Sequence, residues 1–147
     1  MKKSYEIRVQ RLNETPDAPN ISTPEEAVLY WTNVVTAMPW FIPDREVCVA
    51  LTLNTQHRVT GHHLVSVGTL NETVVHSREV FRAAVALNAY GVVLMHNHPS
   101  SGVEPSEADR RMTKRMVSAA EILQIKLLDH VIVSGTSWFS FKEAGLV

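Results

Sequence analysis

Apolar and polar positions alternate with a period of two at the amino terminus. Tyr5, Ile7 and Val9 interleave with Glu6, Arg8 and Gln10, which predicts a half-buried strand at a sheet edge. Residues 13–22, with Pro16, Pro19 and two asparagines, read as a linker or loop. At Thr23-Pro24-Glu25-Glu26 the pattern changes to a helix start: a hydroxyl cap, proline at the first position and acids facing the positive end. Val28, Trp31, Val35 and Met38 then share one face, so the helix is expected to reach Met38, with Pro39 closing it. Trp40, Phe41 and Ile42 are expected to plug the core. Residues 46–53 are β-branched and apolar enough for a central strand. Asn54-Thr55-Gln56-His57 turns the chain into a second strand over 58–64, which residues 65–70 continue or follow.

Further on, Ser77 is expected to cap a helix over 78–88 carrying Val80, Phe81, Ala84, Val85 and Leu87, with Gly91 at its C′ position. The apolar run Val92-Val93-Leu94-Met95 then enters His96-Asn97-His98-Pro99, a buried strand that Pro99 stops. Ser100, Ser101 and Gly102 form a turn, and Pro105 suits the first turn of a helix running to Leu123. Strands over 125–133 and 138–141, joined by a turn at Ser134-Gly135-Thr136-Ser137, complete the pattern. Strands and helices alternate without repeats, so the expected fold class is α/β, a mixed sheet flanked by helices.

Composition narrows the function without choosing it. The 147 residues, 45% hydrophobic and 20% charged, suit a single compact globular domain. A net charge of -1 gives no global attraction to nucleic acid or an acidic membrane. The single cysteine, Cys48, excludes an internal disulfide and any cysteine-rich zinc site. It also fits a reducing compartment. With no signal-peptide core and no run of 18 apolar residues, the expectation is a cytoplasmic protein with no membrane partner.

The candidate chemistry sits where the apolar strand ends. His96 and His98 are two apart and point the same way, and Asp109, early in the next helix, can fold back over them. Two imidazoles and a carboxylate with a fourth position open is the ligand count of a catalytic zinc site. His-x-His alone reads equally well as two capping histidines beside a helix-capping aspartate. The zincin His-Glu-x-x-His helix and the paired cysteines of zinc deaminases are absent, and adjacent His-Asn-His is not the scattered triad of HNH nucleases.

With Ser106 eight and Asp109 eleven residues beyond the second histidine, His96-Asn97-His98-Pro99 resembles the JAMM (JAB/MPN+) metalloprotease motif. Gly68-Thr69-Leu70, Arg78-Glu79-Val80-Phe81, Asn88-Ala89, Pro105-Ser106 and Leu127-Leu128-Asp129-His130-Val131-Ile132-Val133 make the likeness specific to the RadC-like branch, over residues 46–147. The resemblance implies a JAB/MPN (cytidine-deaminase-like) core over 41–147, with residues 1–40 as a strand-loop-helix extension packed on it. It implies zinc held by His96, His98 and Asp109, and a metallopeptidase or isopeptidase acting on a peptide or isopeptide-linked protein. Glu46, at the start of an apolar strand, matches the family's acid/base, with Glu79 as rival. Ser106, the motif serine, would stabilise the oxyanion or orient the water. Two departures stand out: His76-Ser77 where the family usually has His-Pro, and Ser100-Ser101-Gly102 where the branch more often has Ser-Gly and an acid.

Two other function classes remain open. RadC-like proteins carry a DNA-repair label, and Arg110, Arg111, Lys114 and Arg115 are the local argument for nucleic acid, although no counterpart of the branch's helix-hairpin-helix domain is seen. A non-catalytic scaffold stapled by its metal is the other. His62 and His63 are expected at the surface, Asp129-His130 as a structural pair or one behind the ligands, and Cys48 in the core. Strand edges would permit a dimer.

Overall fold

The computed structural model describes residues 2–6, 8, 18–68, 75–99 and 102–147. Five strands form one mixed sheet in the order β2-β1-β3-β4-β5. They are β1 (Glu46–Leu53), β2 (Val59–Gly68), β3 (Gly91–Asn97), β4 (Lys126–Ser134) and β5 (Ser137–Ser140). β3 and β4 are parallel, as a crossover through a helix requires, and the other neighbours are antiparallel. The helices are α1 (Pro24–Asn33), α2 (Ser77–Ala86) and α3 (Glu107–Leu123).

Alternation along the central strands sorts the core into two layers. Val47, Val49, Leu51 and Leu53 of β1 join Val93, Met95, Val131 and Val133 against Ala27, Tyr30, Trp31 and Val35. The other face of the sheet carries Cys48, Ala50, Val92 and Leu94, and packs on Phe81 and Ala84 of α2 and on Met112, Met116 and Ala120 of α3. β1 and β3 are covered on both sides, which is why they read as unbroken apolar runs.

Several boundaries differ from the sequence expectation. α1 ends at Asn33 and continues only as a 3₁₀ turn, Val35–Ala37, instead of reaching Met38. The run Thr32, Val34, Val35, Thr36 is β-branched and sustains a helix poorly. Trp40 and Phe41 pack on the core, but Ile42 is exposed. Of the two alternatives for residues 65–70, continuation holds as far as Gly68, where β2 ends; Thr69 and Leu70 lie outside the described residues. α2 starts at Ser77, with His76 at the cap position. Asn88 (φ 50°), not Gly91, takes the left-handed conformation after α2. Pro105 lies before α3, whose cap is Ser106. The amino-terminal strand is not formed by its described residues. Lys2 to Glu6 and Arg8 are exposed without strand pairing, and alternation alone supplies no ladder partner. Ile7, Val9 and Gln10 lie outside the described residues.

Gly91 is needed for close approach. A Cβ there would meet Leu128 Cδ1 at 2.7 Å and the Lys126 carbonyl at 3.1 Å. Leu128 is the extra residue where the β3–β4 register shifts: Val92 pairs with Leu127, but Val93 pairs with Asp129. This bulge switches the faces of the later β4 residues. Leu127 packs with the α2/α3 layer, while Val131 and Val133 pack with the α1 layer. His130 is thereby turned to the face that carries His96.

Candidate metal centre

His96 is the penultimate residue of β3 and wholly buried on the α2/α3 face. His98 lies just past the strand, yet its backbone is held. Its N–H donates to the Val133 carbonyl (2.9 Å), and the Ser134 hydroxyl donates to the His98 carbonyl (3.0 Å). Asp109 comes from the first turn of α3. A capping box fixes it: Ser106 N–H donates to Asp109 Oδ2 (2.9 Å), and Asp109 N–H donates to Ser106 Oγ (3.1 Å). A serine and an aspartate three apart, which the sequence presents as motif spacing, are thus also the cap that starts the helix.

The three side chains converge. His96 Nε2 lies 3.4 Å from Asp109 Oδ1 and 3.1 Å from His98 Nε2, and His98 Nε2 lies 3.3 Å from Asp109 Oδ2. One ligand atom from each falls within 4.8 Å of the other two. Burial would raise the Asp109 carboxyl, but the hydrogen bond and charge of His96 and the bonds from Ser106 hold it well below the usual carboxylate range. It therefore presents charged oxygens to the cluster.

Hydrogen bonding assigns the tautomers. The Thr113 hydroxyl donates its proton to the Asp109 carbonyl (2.8 Å), so toward His130 Nδ1 (2.7 Å) it can only accept. His130 Nδ1 therefore carries a hydrogen. Burial first, and the charge of His96 second, push the His130 pKa far down, so the ring is neutral and Nε2 is an acceptor. His96 Nδ1–H then donates to it (2.8 Å), leaving His96 Nε2 to face the cluster. His98 reaches the same state independently, because its Nδ1 faces the Gly102 carbonyl (3.0 Å), which can only accept. Two Nε2 atoms and a carboxylate, each oriented by a partner behind it, fit a borderline-soft divalent cation such as zinc, which would take the place of the proton that His96 Nε2 shares with Asp109 in the metal-free site.

Glu46 is the first residue of β1. Cys48 pairs with His96 across the ladder, so the two share a face, and Glu46, two residues earlier, shares it too. Burial first, then the charges of Asp109 and Glu46, raise the Cys48 thiol well above its usual range. Cys48 is in the core, as expected. Glu79 lies elsewhere, in the first turn of α2, where its carboxylate pairs with Arg82 at 3.7 Å near the surface.

The remaining candidates separate. Asp129 accepts from the Ser140 hydroxyl (2.6 Å), His130 N–H (2.7 Å) and Lys142 N–H (3.0 Å), anchoring β5 and the turn after it. Burial still raises its pKa. Of the Asp129-His130 pair, only His130 stands behind the cluster, through its bond with His96. His62 and His63 are half-buried rather than surface residues. His62 Nδ1 and the Tyr30 hydroxyl are 2.6 Å apart, and His63 Nε2–H donates to the Glu79 carbonyl (2.8 Å), so they fasten α1 and α2 to opposite faces of β2. Sequence reasoning misses Thr113 and Asn97. Thr113 carries no signal, and Asn97 reads only as a spacer between histidines. In the basic cluster, Arg115 Nη2 donates to the Val75 carbonyl (3.4 Å) and Lys114 is exposed.

The family model described as "RadC-like JAB domain" matches residues 21–146. A UPF0758 protein of Chlorobium luteolum is 49% identical over 108 residues, covering 72% of this chain and 48% of the relative. One from Chlorobium chlorochromatii is 45% identical over the same length, covering 72% and 49%. Another, from Thermotoga maritima, is 45% identical over 102 residues, covering 69% and 46%. The chain spans about half the length of the curated relatives it matches. Among the described residues, no helix is long and apolar enough to cross a membrane.

Proposed function

The chain belongs to the RadC-like JAB domain family, and on that premise we propose that it is a zinc-dependent hydrolase of amide bonds, in a peptide or an isopeptide-linked protein. The observation that carries this reading is the convergence of His96 Nε2, His98 Nε2 and the charged Asp109 carboxylate. Zinc, when bound there, supplies Lewis acidity that acidifies water and polarises a carbonyl.

The residues divide the remaining work. His96, His98 and Asp109 hold the ion. Glu46 takes the proton of the attacking water and returns it to the leaving nitrogen, a role that needs a carboxylate on the cluster's face of the sheet. Ser106 accepts from Asp109 N–H, and its hydroxyl proton, shared with the Asp109 carboxylate, would turn to the developing oxyanion. Cys48, kept as a neutral thiol, offers no competing ligand.

The test is hydrolysis of a panel of peptides and isopeptide-linked conjugates by the zinc-loaded protein beside Glu46→Gln. The reading predicts turnover that falls at least about 100-fold in Glu46→Gln while zinc is retained. Equal rates in the two proteins would contradict it.

A further inference from the structure

Asn97 lies between the two histidines, so alternation takes its side chain off the face that carries His96. It is nevertheless built into the same site. Val47 N–H donates to Asn97 Oδ1 (2.7 Å), and Asn97 Nδ2 donates to the Arg45 carbonyl (3.0 Å). These two backbone groups flank a single residue, Glu46.

Register explains the geometry. The β1–β3 ladder ends at the pair Cys48–His96. One step further Val47 would face Asn97, but the backbone of the next residue, His98, has turned to β4, where its N–H is taken by Val133. The Asn97 carboxamide replaces the missing rung, one acceptor and one donor like a peptide group. Both bonds are sheltered, since Asn97 is 7% exposed.

We propose that Asn97 is a positioning residue for Glu46, its carboxamide clasping the backbone on either side and setting the carboxylate beside the His96–His98–Asp109 cluster. The inference rests on Glu46 being the acid/base. It also accounts for the residue type. Aspartate has no donor for the Arg45 carbonyl, glutamine is one methylene too long, and a hydroxyl cannot reach both groups.

A strand-end stitch without this role would lower stability and leave the site's chemistry alone, so the test must read the site. Cobalt(II), which accepts the same N/O ligands, gives a visible spectrum sensitive to what contacts its open position. Cobalt-loaded wild type, Glu46→Gln, Asn97→Leu and the double variant are titrated with pH. The expected result is one cobalt per chain in all four. In Asn97→Leu, the pH at which the spectrum changes moves in the direction of Glu46→Gln and by most of that shift. Asn97→Leu adds nothing further in the Glu46→Gln background. A wild-type response in Asn97→Leu, while Glu46→Gln is altered, overturns the proposal and leaves Glu46 its role. No response to Glu46→Gln itself overturns both. If Asn97→Leu does not fold, Asn97→Ser, whose hydroxyl cannot reach both groups and adds no charge beside the site, carries the same comparison.

Discussion

At the scale of the residue, the chemistry of the site is decided by protons that are already committed. Thr113 gives its hydrogen to a carbonyl of its own helix, His130 must therefore give Nδ1–H to Thr113, and His96 must give Nδ1–H to His130. A ring held from behind in this way binds a cation with little reorientation. His130→Ala removes the acceptor behind His96 and leaves a buried N–H unpaired. It is expected to weaken zinc binding about 10- to 100-fold while His96, His98 and Asp109 remain in place. Competition against a chelating dye measures this, and unchanged affinity in a folded His130→Ala protein would contradict the assigned chain of donors.

At the scale of the element, the site depends on how strands end and shift. Gly91 makes room for the bulged Leu128, and the bulge turns His130 toward His96. Gly91→Ala is expected to cost about 1–3 kcal/mol, because the new methyl group meets Leu128 and the Lys126 carbonyl in a filled interior. Urea unfolding reads that loss, and it should come with weaker zinc binding; stability equal to wild type would show that the bulge adjusts freely. Much at this scale is legible in the sequence. β1 is bounded by Glu46 and Leu53 as the apolar run implies, and His96, His98 and Asp109 meet because a strand end and a helix start are short-range features. The illegible part depends on distant contacts. His130 is 34 residues from His96 and reaches it only through a one-residue register shift. Asn97 meets Val47 across 50 residues of sequence. Pro105 and Ser106 both suit a helix start, and only the Ser106–Asp109 bonds decide between them.

At the scale of the whole molecule, half-buried imidazoles tie both helical layers to the β2 edge. Burial, then the charge of His63, lowers the His62 pKa. Burial also lowers that of His63, against the carbonyl of Glu79, which raises it. Both rings are therefore neutral in the fold at a pH where the unfolded chain binds protons. Stability should be flat above about 6.5 and fall as pH drops below that value, because the unfolded state takes up protons that the folded state does not. Asp109 acts in a lower window, its contribution being lost below about 4 as its carboxylate is protonated. Urea midpoints of the metal-free protein across this range test the sign. His63→Gln should make the upper window shallower, leaving the part owed to His62 and His130, and a midpoint that rose on acidification would contradict the account.

The central claim, that β3 and the start of α3 together form a cation site, is tested most directly by counting zinc in the purified protein and in His98→Ala and Asp109→Ala. The account predicts about one zinc per chain in the wild type and none in either folded variant. A wild-type protein that holds no zinc after reconstitution, or variants that keep it, would contradict the account.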